Sequence, residues 1–463
     1  MLFCNGLTIC GCDCLGMPSQ MTTSETPLLK NFKDTSYWLD GLPPAPSLPD
    51  VPLASADVVI VGSGYTGLNA AIQTARAGRS TLVLDAQDPG WGCSTRNGGQ
   101  ISTSIKPSLE KLTKRYGPDR ARAIRKEGEN ALEWIGDFIG SGNIDCHFRR
   151  CGRYHAAHTP AHFEEIARNA EDLRKHEGIE THVVPRQDQR SELGSDVYFG
   201  GVVFERHAAL DPARFHRGLL DIAVRAGAHV TGHCAVSDIA KDTGGFVLTT
   251  SKGTIKARDV IIATNGYTTS LMPWLQRRII PIGSYIIATE PLPGDLMDRL
   301  FPTDRIASDT CKVIYYYRPS PDRTRILFGG RVSATETNNA VSGPKLYADM
   351  CRIFPELAAY RVTHSWSGKV AYTFDELAHT GVHDGVHYVM GYCGSGVSMA
   401  SYLGMRLGQK VLGLPEGRTA IDNLPNPTRP FYRGNPWFLP ATVAWYRRKD
   451  RAEYQKAAAS NQK

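Results

Sequence analysis

Asp57-Val-Val-Ile-Val-Gly-Ser-Gly-Tyr-Thr-Gly67 carries the strongest fold signal in this 463-residue chain. Its apolar run ends in the pattern Gly-x-Gly-x-x-Gly, and a helical pattern follows over residues 68–77. A second apolar run, Thr81-Leu-Val-Leu84, comes next. Strand, glycine-rich turn, helix and strand within about 30 residues indicate a βαβ unit with two parallel, buried strands.

The turn in this unit has the residue types of a dinucleotide-binding loop: Gly62, Ser63, Gly64, Tyr65, Thr66 and Gly67. The first glycine of such a loop permits the tight turn, the second lets the backbone approach a pyrophosphate, and the third allows close helix packing. Asp85 and Ala86 follow the second strand, where a carboxylate accepts a ribose hydroxyl and disfavours a 2′-phosphate. The pattern predicts FAD or NAD binding, and a turn that serves helix packing alone is the alternative.

Three later segments, residues 90–100, 260–267 and 391–400, offer further cofactor contacts. The hydroxyls of Ser94 and Thr95 and the guanidinium of Arg96 could bind a pyrophosphate or a ribityl chain. Residues 394–398 begin a helix of small residues, whose N-terminal N–H groups could stabilise a negative charge that develops on a cofactor. The alternatives are a surface ion pair for the arginine, a plain β-turn and a loop chosen for helix packing. The candidates are Ser94, Thr95, Arg96, Asn97, Gly98, Gly99, Gln100, Thr264, Asn265, Gly266, Gly394, Ser395, Gly396, Val397 and Ser398.

Together the four segments resemble the D-amino-acid-oxidase-like family of FAD-dependent oxidoreductases, over about Tyr37 to Tyr446. Within it, the chain looks most like the bacterial gamma-glutamylputrescine oxidoreductase group. The resemblance implies FAD, with residues 97–100 beside the isoalloxazine and residues 264–266 over the phosphates and adenosine. Some relatives attach FAD through a cysteine. Neither Cys93 nor Cys393 matches that attachment, so we predict noncovalent FAD.

The expected architecture is an α/β, two-domain fold. A Rossmann-like FAD-binding domain with a parallel sheet is assembled from residues 37–145, 205–272 and 365–446. An antiparallel, β-rich substrate domain, residues 146–204 and 273–364, is inserted into it. Residues 1–36 are predicted to be a disordered tail, and residues 447–463 a second tail.

Local patterns predict further elements of this fold. Helices are expected over residues 109–139, with an interruption at Gly117-Pro118, and over residues 160–176 and 214–226. Residues 279–332 have the pattern of an antiparallel meander. Within it, residues 313–317 and 325–328 are expected to form a hairpin.

Three residues are candidates for the catalytic and substrate-binding site: Tyr316, Arg331 and Lys369. Tyr316 lies in a run of three tyrosines that alternate across a strand, so it could line a pocket. Core or interface packing is the alternative. Arg331 could clamp a carboxylate with two hydrogen bonds, or form a structural ion pair. Lys369 could activate oxygen or meet a substrate acid, or it could be a solvent-exposed lysine.

The resemblance implies oxidation of an amine or amino acid at the carbon beside nitrogen. Hydride passes to flavin N5, the imine is hydrolysed to an aldehyde or keto acid, and O2 is reduced to H2O2. Sarcosine-oxidase-like relatives carry a lysine on the strand that here reads Ile326-Leu-Phe-Gly-Gly330, and its absence weakens the case for O2. The alternatives are a dehydrogenase that feeds a quinone or carrier, a nicotinamide oxidoreductase, and a flavin-binding protein without turnover.

Composition argues against several other classes of protein. The 53 Lys and Arg exceed the 46 Asp and Glu by seven, but the basic groups are short and lack interleaved aromatics, unlike a nucleic-acid interface. No apolar run is long enough to span a membrane. The 11 cysteines indicate reduced thiols in a cytoplasmic protein. The spacing Cys10-Gly-Cys-Asp-Cys14 matches no metal site, so no metal is predicted. The expected partners are a small-molecule substrate and O2 or another electron acceptor.

Overall fold

The computed structural model describes residues 26–103, 105–331 and 337–460, so the cysteine-rich N-terminus lies outside the described residues. Within these ranges the chain forms nineteen β-strands and ten α-helices. The strands are β1 (Leu28–Lys33), β2 (Ser55–Val61), β3 (Thr81–Leu84), β4 (Gln100–Ile101), β5 (Arg153–Ala156), β6 (Thr181–Val184), β7 (Gly201–Phe204), β8 (Ala208–Ala209), β9 (His229–Thr231), β10 (Val236–Asp242), β11 (Gly245–Thr250), β12 (Gly253–Ile262), β13 (Ile280–Thr289), β14 (Ile306–Asp309), β15 (Tyr315–Pro319), β16 (Ile326–Gly330), β17 (Val362–Tyr372), β18 (His379–His383) and β19 (Val386–Met390). The helices are α1 (Tyr65–Arg76), α2 (Leu109–Tyr116), α3 (Pro118–Ser141), α4 (Pro160–Glu177), α5 (Pro212–Arg225), α6 (Pro273–Gln276), α7 (Gly294–Leu300), α8 (Asn339–Ile353), α9 (Gly396–Val411) and α10 (Leu439–Ser460).

The glycine-rich turn follows the carboxyl end of β2, an interior strand of an eight-stranded sheet. Strands β19, β12, β2, β3 and β9 run parallel in that order, and β10, β11 and β18 join in antiparallel pairs. Val61 is in register with Leu84 and Ile262, and Ile262 is in register with Tyr388. The carboxyl ends of four parallel strands therefore meet at one edge, where open α/β sheets bind ligands. The predicted βαβ unit, β2–α1–β3, is confirmed.

Close helix packing covers one face of this sheet. Leu68 and Ile72 of α1 are buried in the same core as Ile60 of β2. Helix α9 crosses α1 at a glycine: a Cβ on Gly404 would lie 2.4 Å from the carbonyl oxygen of Thr66. Because interiors are close-packed, small residues set the distance between these two helices.

The second sheet has nine strands in the order β1-β17-β13-β16-β15-β14-β5-β7-β6. Its centre is antiparallel, with β13 paired to β17 along ten residues and β15–β16 forming the predicted hairpin. The pairs β1–β17 and β14–β5 are parallel, so the sheet is mixed rather than purely antiparallel. Apolar residues of α7 and α8 bury one of its faces. The expected α/β class with a second, β-rich layer is confirmed with that correction.

Three segments differ from their predicted assignment. Leu28–Lys33, predicted to be disordered, forms β1 because Leu28 is buried in the core of the second sheet. Residues 365–372, assigned to the FAD-binding domain, belong to β17 and hence to the nine-stranded sheet. Residues 447–460, predicted to be a tail, continue helix α10. The other domain boundaries stay a prediction.

The remaining helix predictions are confirmed. The pattern over residues 109–139 forms α2 and α3, which are separated at Gly117, where φ is +80°. No helix in the described ranges combines the length and apolar composition that a membrane crossing requires.

Candidate functional site

A cavity of about 1220 Å³ opens at the carboxyl ends of the parallel strands and continues between the two sheets to helix α10. Val61, Leu84 and Ala263 line it at the parallel sheet, and Tyr316 and Tyr446 line it further along. Its volume exceeds the roughly 300–1,000 Å³ typical of a site for one small ligand. The cavity therefore has room for a dinucleotide and a substrate together.

The turn after β2 packs so closely against its neighbours that two of its glycines have no room for a side chain. Gly62 has a φ of +104°, and a Cβ there would lie 3.0 Å from the carbonyl oxygen of Ala263. A Cβ on Gly67 would lie 1.9 Å from the carbonyl oxygen of Gly62, so α1 starts directly against the turn. Gly62 and Gly64 line the cavity, and Gly67 packs behind them. The start of α1 therefore borders the cavity, as pyrophosphate binding requires.

The glycine turn holds Asp85 in position. Asp85 Oδ2 accepts hydrogen bonds from the Ser63 N–H at 3.0 Å and from Ser63 Oγ at 2.5 Å. Asp85 Oδ1 accepts from the Gln87 N–H at 3.1 Å. The carboxylate lines the cavity at the end of β3, where it can accept a hydrogen bond from a ribose hydroxyl. Ser63 does not line the cavity, so its role is to orient this carboxylate.

Two buried tryptophans hold the loop that precedes β4. Trp38 Nε1 donates to the carbonyl oxygen of Asn97 at 2.8 Å, and Trp366 Nε1 donates to that of Arg96 at 2.8 Å. The partners are 59 and 270 positions apart in the chain. Because no local pattern links the partners, the sequence analysis predicted neither of these contacts.

We expect Trp366→Phe to weaken FAD binding about 5- to 10-fold. The substitution keeps the ring in the core but leaves the half-buried Arg96 carbonyl without its donor, at a cost of about 1–1.4 kcal/mol. Titration of the apoprotein with FAD, followed by flavin fluorescence, measures the change. Trp445→Phe, at a 64% exposed position in α10, is the control and should bind FAD as the unsubstituted protein does. Equal affinities for both variants would contradict the expectation.

Arg96 and Ser94 line the cavity but also have partners in the protein. The Arg96 guanidinium carbon lies 4.8 Å from the ring centroid of Trp91, and Arg96 Nε donates to the Trp91 carbonyl oxygen at 2.7 Å. Ser94 Oγ accepts from the N–H of Tyr65, the first residue of α1, at 3.1 Å. Both side chains therefore border the expected pyrophosphate position, with their orientation fixed by these bonds.

Most of the predicted cofactor-binding residues line the cavity. These are Gly62, Gly64, Tyr65, Thr66, Asp85, Ala86, Ser94, Arg96, Asn97, Gly98, Gln100, Thr264, Asn265, Gly394, Ser395, Gly396 and Val397. The others lie behind its wall: Ser63, Gly67, Thr95, Gly99, Gly266 and Ser398. Thr95 Oγ1, for example, donates to the carbonyl oxygen of Gly90 at 2.7 Å. Direct contact of each residue with a cofactor stays a prediction.

The start of α9 borders the cavity next to the start of α1. The hydroxyls of Tyr392 and Thr66 share a hydrogen bond of 2.6 Å that ties the two segments together. Burial raises the pKa of Cys393 to about 11, and its Sγ donates to the carbonyl oxygen of Gly391 at 3.1 Å. Burial also raises the pKa of Cys93 to about 11. Both thiols are neutral near pH 7, which argues against a reactive-thiolate role.

Tyr316 faces the cavity, whereas its two neighbours face away. Tyr315 and Tyr317 both stack on Phe328 of β16. Their ring centroids lie 5.6 and 5.4 Å, respectively, from that of Phe328. A Cβ on Gly98 would lie 3.0 Å from the Tyr316 ring, and the Tyr316 hydroxyl shares a hydrogen bond of 2.8 Å with Ser284 Oγ. Burial raises the pKa of Tyr316, so its hydroxyl is neutral. The predicted alternation of the three tyrosines is confirmed.

Six cationic side chains besides Arg96 line the cavity: Lys106, Arg115, Arg153, Lys312, Arg331 and Lys369. The sequence analysis identified Arg331 and Lys369 and missed the other four, which belong to no motif. Burial lowers the pKa of Lys106 and of Arg331, and it lowers that of Arg153 to about 10. Arg153 Nε is buried and has no hydrogen-bond partner among the described residues. This concentration of positive charge favours an anionic ligand.

Three acidic residues also line the cavity: Asp85, Asp375 and Glu376. Asp375 Oδ1 is hydrogen-bonded to His379 Nε2 at 3.0 Å. Seven cations, including Arg96, against three carboxylates leave the lining of the cavity positive. Burial lowers the pKa of nearby His155 most, and the charges of Arg153 and Lys106 lower it further, to about 3.

The chain is similar to known proteins in both sequence and fold. The family described as DAO, FAD dependent oxidoreductase, matches residues 57–410. The chain is 31% identical over 423 residues to "Probable oxidoreductase OrdL" of Rhizobium meliloti, covering 90% of this chain and 97% of that one. It is 30% identical over 402 residues to the gamma-glutamylputrescine oxidoreductase of Escherichia coli K12, covering 86% and 93%. The crystal structure of glycine oxidase from Geobacillus kaustophilus has the same fold, with a TM-score of 0.68, 18% identity, and coverage of 82% of this chain and 99% of that one.

Proposed function

The chain belongs to the DAO family of FAD-dependent oxidoreductases, and we propose that it oxidises the carbon–nitrogen bond of an amine or amino acid that carries a carboxylate. The excess of cations over carboxylates in the cavity lining carries this proposal, because it favours a negatively charged group there. The substrate that names one relative, gamma-glutamylputrescine, contains both a free amine and a carboxylate.

The cavity residues fit FAD. Gly62 and Gly64 border the cavity in a turn whose contacts at Gly62 and Gly67 leave no room for a Cβ, and Asp85 lines the cavity beside it with a fixed carboxylate. The loop 93–100 and the starts of α1 and α9 would surround the rest of the molecule. Bound FAD supplies the acceptor for a hydride from the carbon beside the nitrogen.

The chain's own residues bind and orient the substrate. Arg331 would hold the carboxylate with two charge-assisted hydrogen bonds. The hydroxyls of Tyr316 and Ser284, beside Gly98, would position the amine end. The positive charge of the cavity disfavours a further cation, so a bound ammonium group loses its proton more readily. The neutral amine, which is the reactive form, is therefore favoured.

O2 is the proposed electron acceptor, with Lys369 as the candidate side chain for activating it. For a primary amine, the amine, O2 and water give an aldehyde or keto acid, ammonia and H2O2. A dehydrogenase that passes electrons to a quinone or carrier protein is the second candidate, since β16 has no lysine. Release of H2O2 in air, measured against amine consumed, distinguishes the two.

Anaerobic titration tests the proposal directly. The purified protein should be yellow and should lose its visible absorbance when a carboxylate-bearing amine from a panel is added. The panel would contain gamma-glutamylputrescine, putrescine, sarcosine and both enantiomers of common amino acids. Acid precipitation should release the flavin into solution if FAD is noncovalent. A colourless protein that takes up no added FAD, or a flavin that no amine bleaches, would refute the proposal.

Activity should rise with pH. We expect kcat to increase through a single ionisation whose midpoint lies below the pKa of the free substrate amine, because the positive cavity lowers the pKa of the bound amine. Replacing Lys106 by Met should move this midpoint upwards, since one cation is removed. The pH profiles of flavin reduction for the two proteins measure the effect. A midpoint that does not move, or that moves downwards, would contradict it.

A further inference from the structure

Three potential metal ligands converge where helix α10 packs beside the start of helix α4, away from the glycine turn. His158 lies just before α4, His162 lies in its first turn, and Glu453 lies in α10. One ligand atom of each residue lies within 4.8 Å of the other two. The ring centroids of the two histidines are 4.3 Å apart.

The distances fit a bound cation. His158 Nε2 and Glu453 Oε2 are 3.4 Å apart. In a tetrahedral site with metal–ligand distances of about 2.0–2.2 Å, two ligand atoms are separated by roughly 3.4 Å. Both atoms are buried, and apart from this contact with each other neither has a hydrogen-bond partner among the described residues. A shared cation would give each atom a ligand bond in place of this long contact, and buried polar atoms without a short hydrogen bond are rare in folded proteins.

Hydrogen bonds on the far side of each ring leave the Nε2 atoms available. His158 Nδ1 and Thr310 Oγ1 are 2.7 Å apart, and His162 Nδ1 and Thr159 Oγ1 are 2.7 Å apart. Histidines that bind metals commonly have such a partner on the other nitrogen, which fixes the orientation of the ring. His162 and Glu453 are only half-buried, so an ion and one water can enter from that side.

We propose that His158, His162 and Glu453 bind a divalent transition-metal ion of the Zn²⁺ type, with water as the fourth ligand. Two imidazoles and one carboxylate favour such an ion over Mg²⁺ or Ca²⁺, which prefer oxygen ligands. The proposed site differs from the expectation of no metal, which rested on cysteine spacing.

The ion would fasten α10 to the nine-stranded sheet. Thr310, the hydrogen-bond partner of His158, directly follows β14 and lines the cavity. Leu439, Thr442 and Tyr446 of α10 line the same cavity. The metal would therefore stabilise one wall of the substrate cavity without touching the glycine turn.

Zinc content of the full-length, FAD-loaded protein tests the proposal. After treatment with a chelator and dialysis against Zn²⁺, His162→Gln and Glu453→Gln should each contain about one ion per chain less than the unsubstituted protein. His182→Gln is the matched control, because His182 Nδ1 lies 2.7 Å from Glu205 but belongs to no such ligand group among the described residues. Any zinc held by the N-terminal cysteines is common to all variants. Excess Mg²⁺ should not displace the ion.

Hydrogen exchange provides a second readout. Zn²⁺ should slow amide exchange in α10 of the unsubstituted protein and of the His182 variant, but not in the other two variants. Equal FAD content shows that the variants are folded. The proposal would be overturned by equal zinc content in all four proteins, or by an amide exchange rate in α10 that Zn²⁺ does not change. The three residues would then form an ordinary histidine–glutamate contact.

Discussion

Arg331→Met is expected to lower kcat/KM for a carboxylate-bearing amine about 30- to 700-fold. Losing a bidentate, charge-assisted contact inside the cavity costs about 2–4 kcal/mol, and each 1.4 kcal/mol is about a factor of ten. A matching amine without the carboxylate should react within about threefold of its original rate, because it makes no such contact. The rate of anaerobic flavin reduction at several substrate concentrations measures both values.

Two controls separate this role from a structural one. Arg331→Lys retains the charge but not the planar pair of donors, so its loss should be intermediate. Arg122→Met removes an arginine that is 59% exposed and paired with Asp119, and it should change neither substrate. If Arg331→Met slows both substrates equally, or releases FAD, then Arg331 supports the fold and does not bind the carboxylate.

The parallel sheet and its glycine turn were predictable because their signals are local. A buried apolar strand, the glycine spacing and a helix start occupy one continuous segment, and the structure places Gly62 and Gly67 in contacts that exclude a Cβ. The same holds for the hairpin of β15 and β16, whose alternating tyrosines follow from strand geometry.

The rest of the site depends on contacts between distant segments. Lys106 and Arg153 reach the cavity from different parts of the chain, and neither has neighbours of a recognisable motif. Trp366 bonds a carbonyl 270 positions away. Helix α10 was missed because its charged C-terminal half has the composition of a solvated tail, although Asp450 accepts from the N–H groups of Lys312 and Val313. Only tertiary structure brings such residues together.

Gly67→Ala should remove FAD from the protein and lower its stability by at least about 2–3 kcal/mol, the upper range for overpacking a core. The added Cβ would lie 1.9 Å from the Gly62 carbonyl oxygen, which is backbone and cannot rotate away. Helix α1 must then shift from the turn, and the cradle for the pyrophosphate is lost. Gly404→Ala should destabilise in the same direction, because its Cβ would lie 2.4 Å from the Thr66 carbonyl oxygen and push α9 from α1.

Gly140→Ala provides the matched control. Gly140 lies in helix α3, and a Cβ there would have no neighbour within 4 Å among the described residues. Alanine has the higher helix propensity, so this variant should be more stable by about 0.5–1 kcal/mol and should keep its FAD. Flavin absorbance per chain and the midpoint of thermal unfolding distinguish the three variants. If Gly67→Ala retained both FAD and stability, the glycine turn would not have the close contact with α1 on which the cofactor assignment depends.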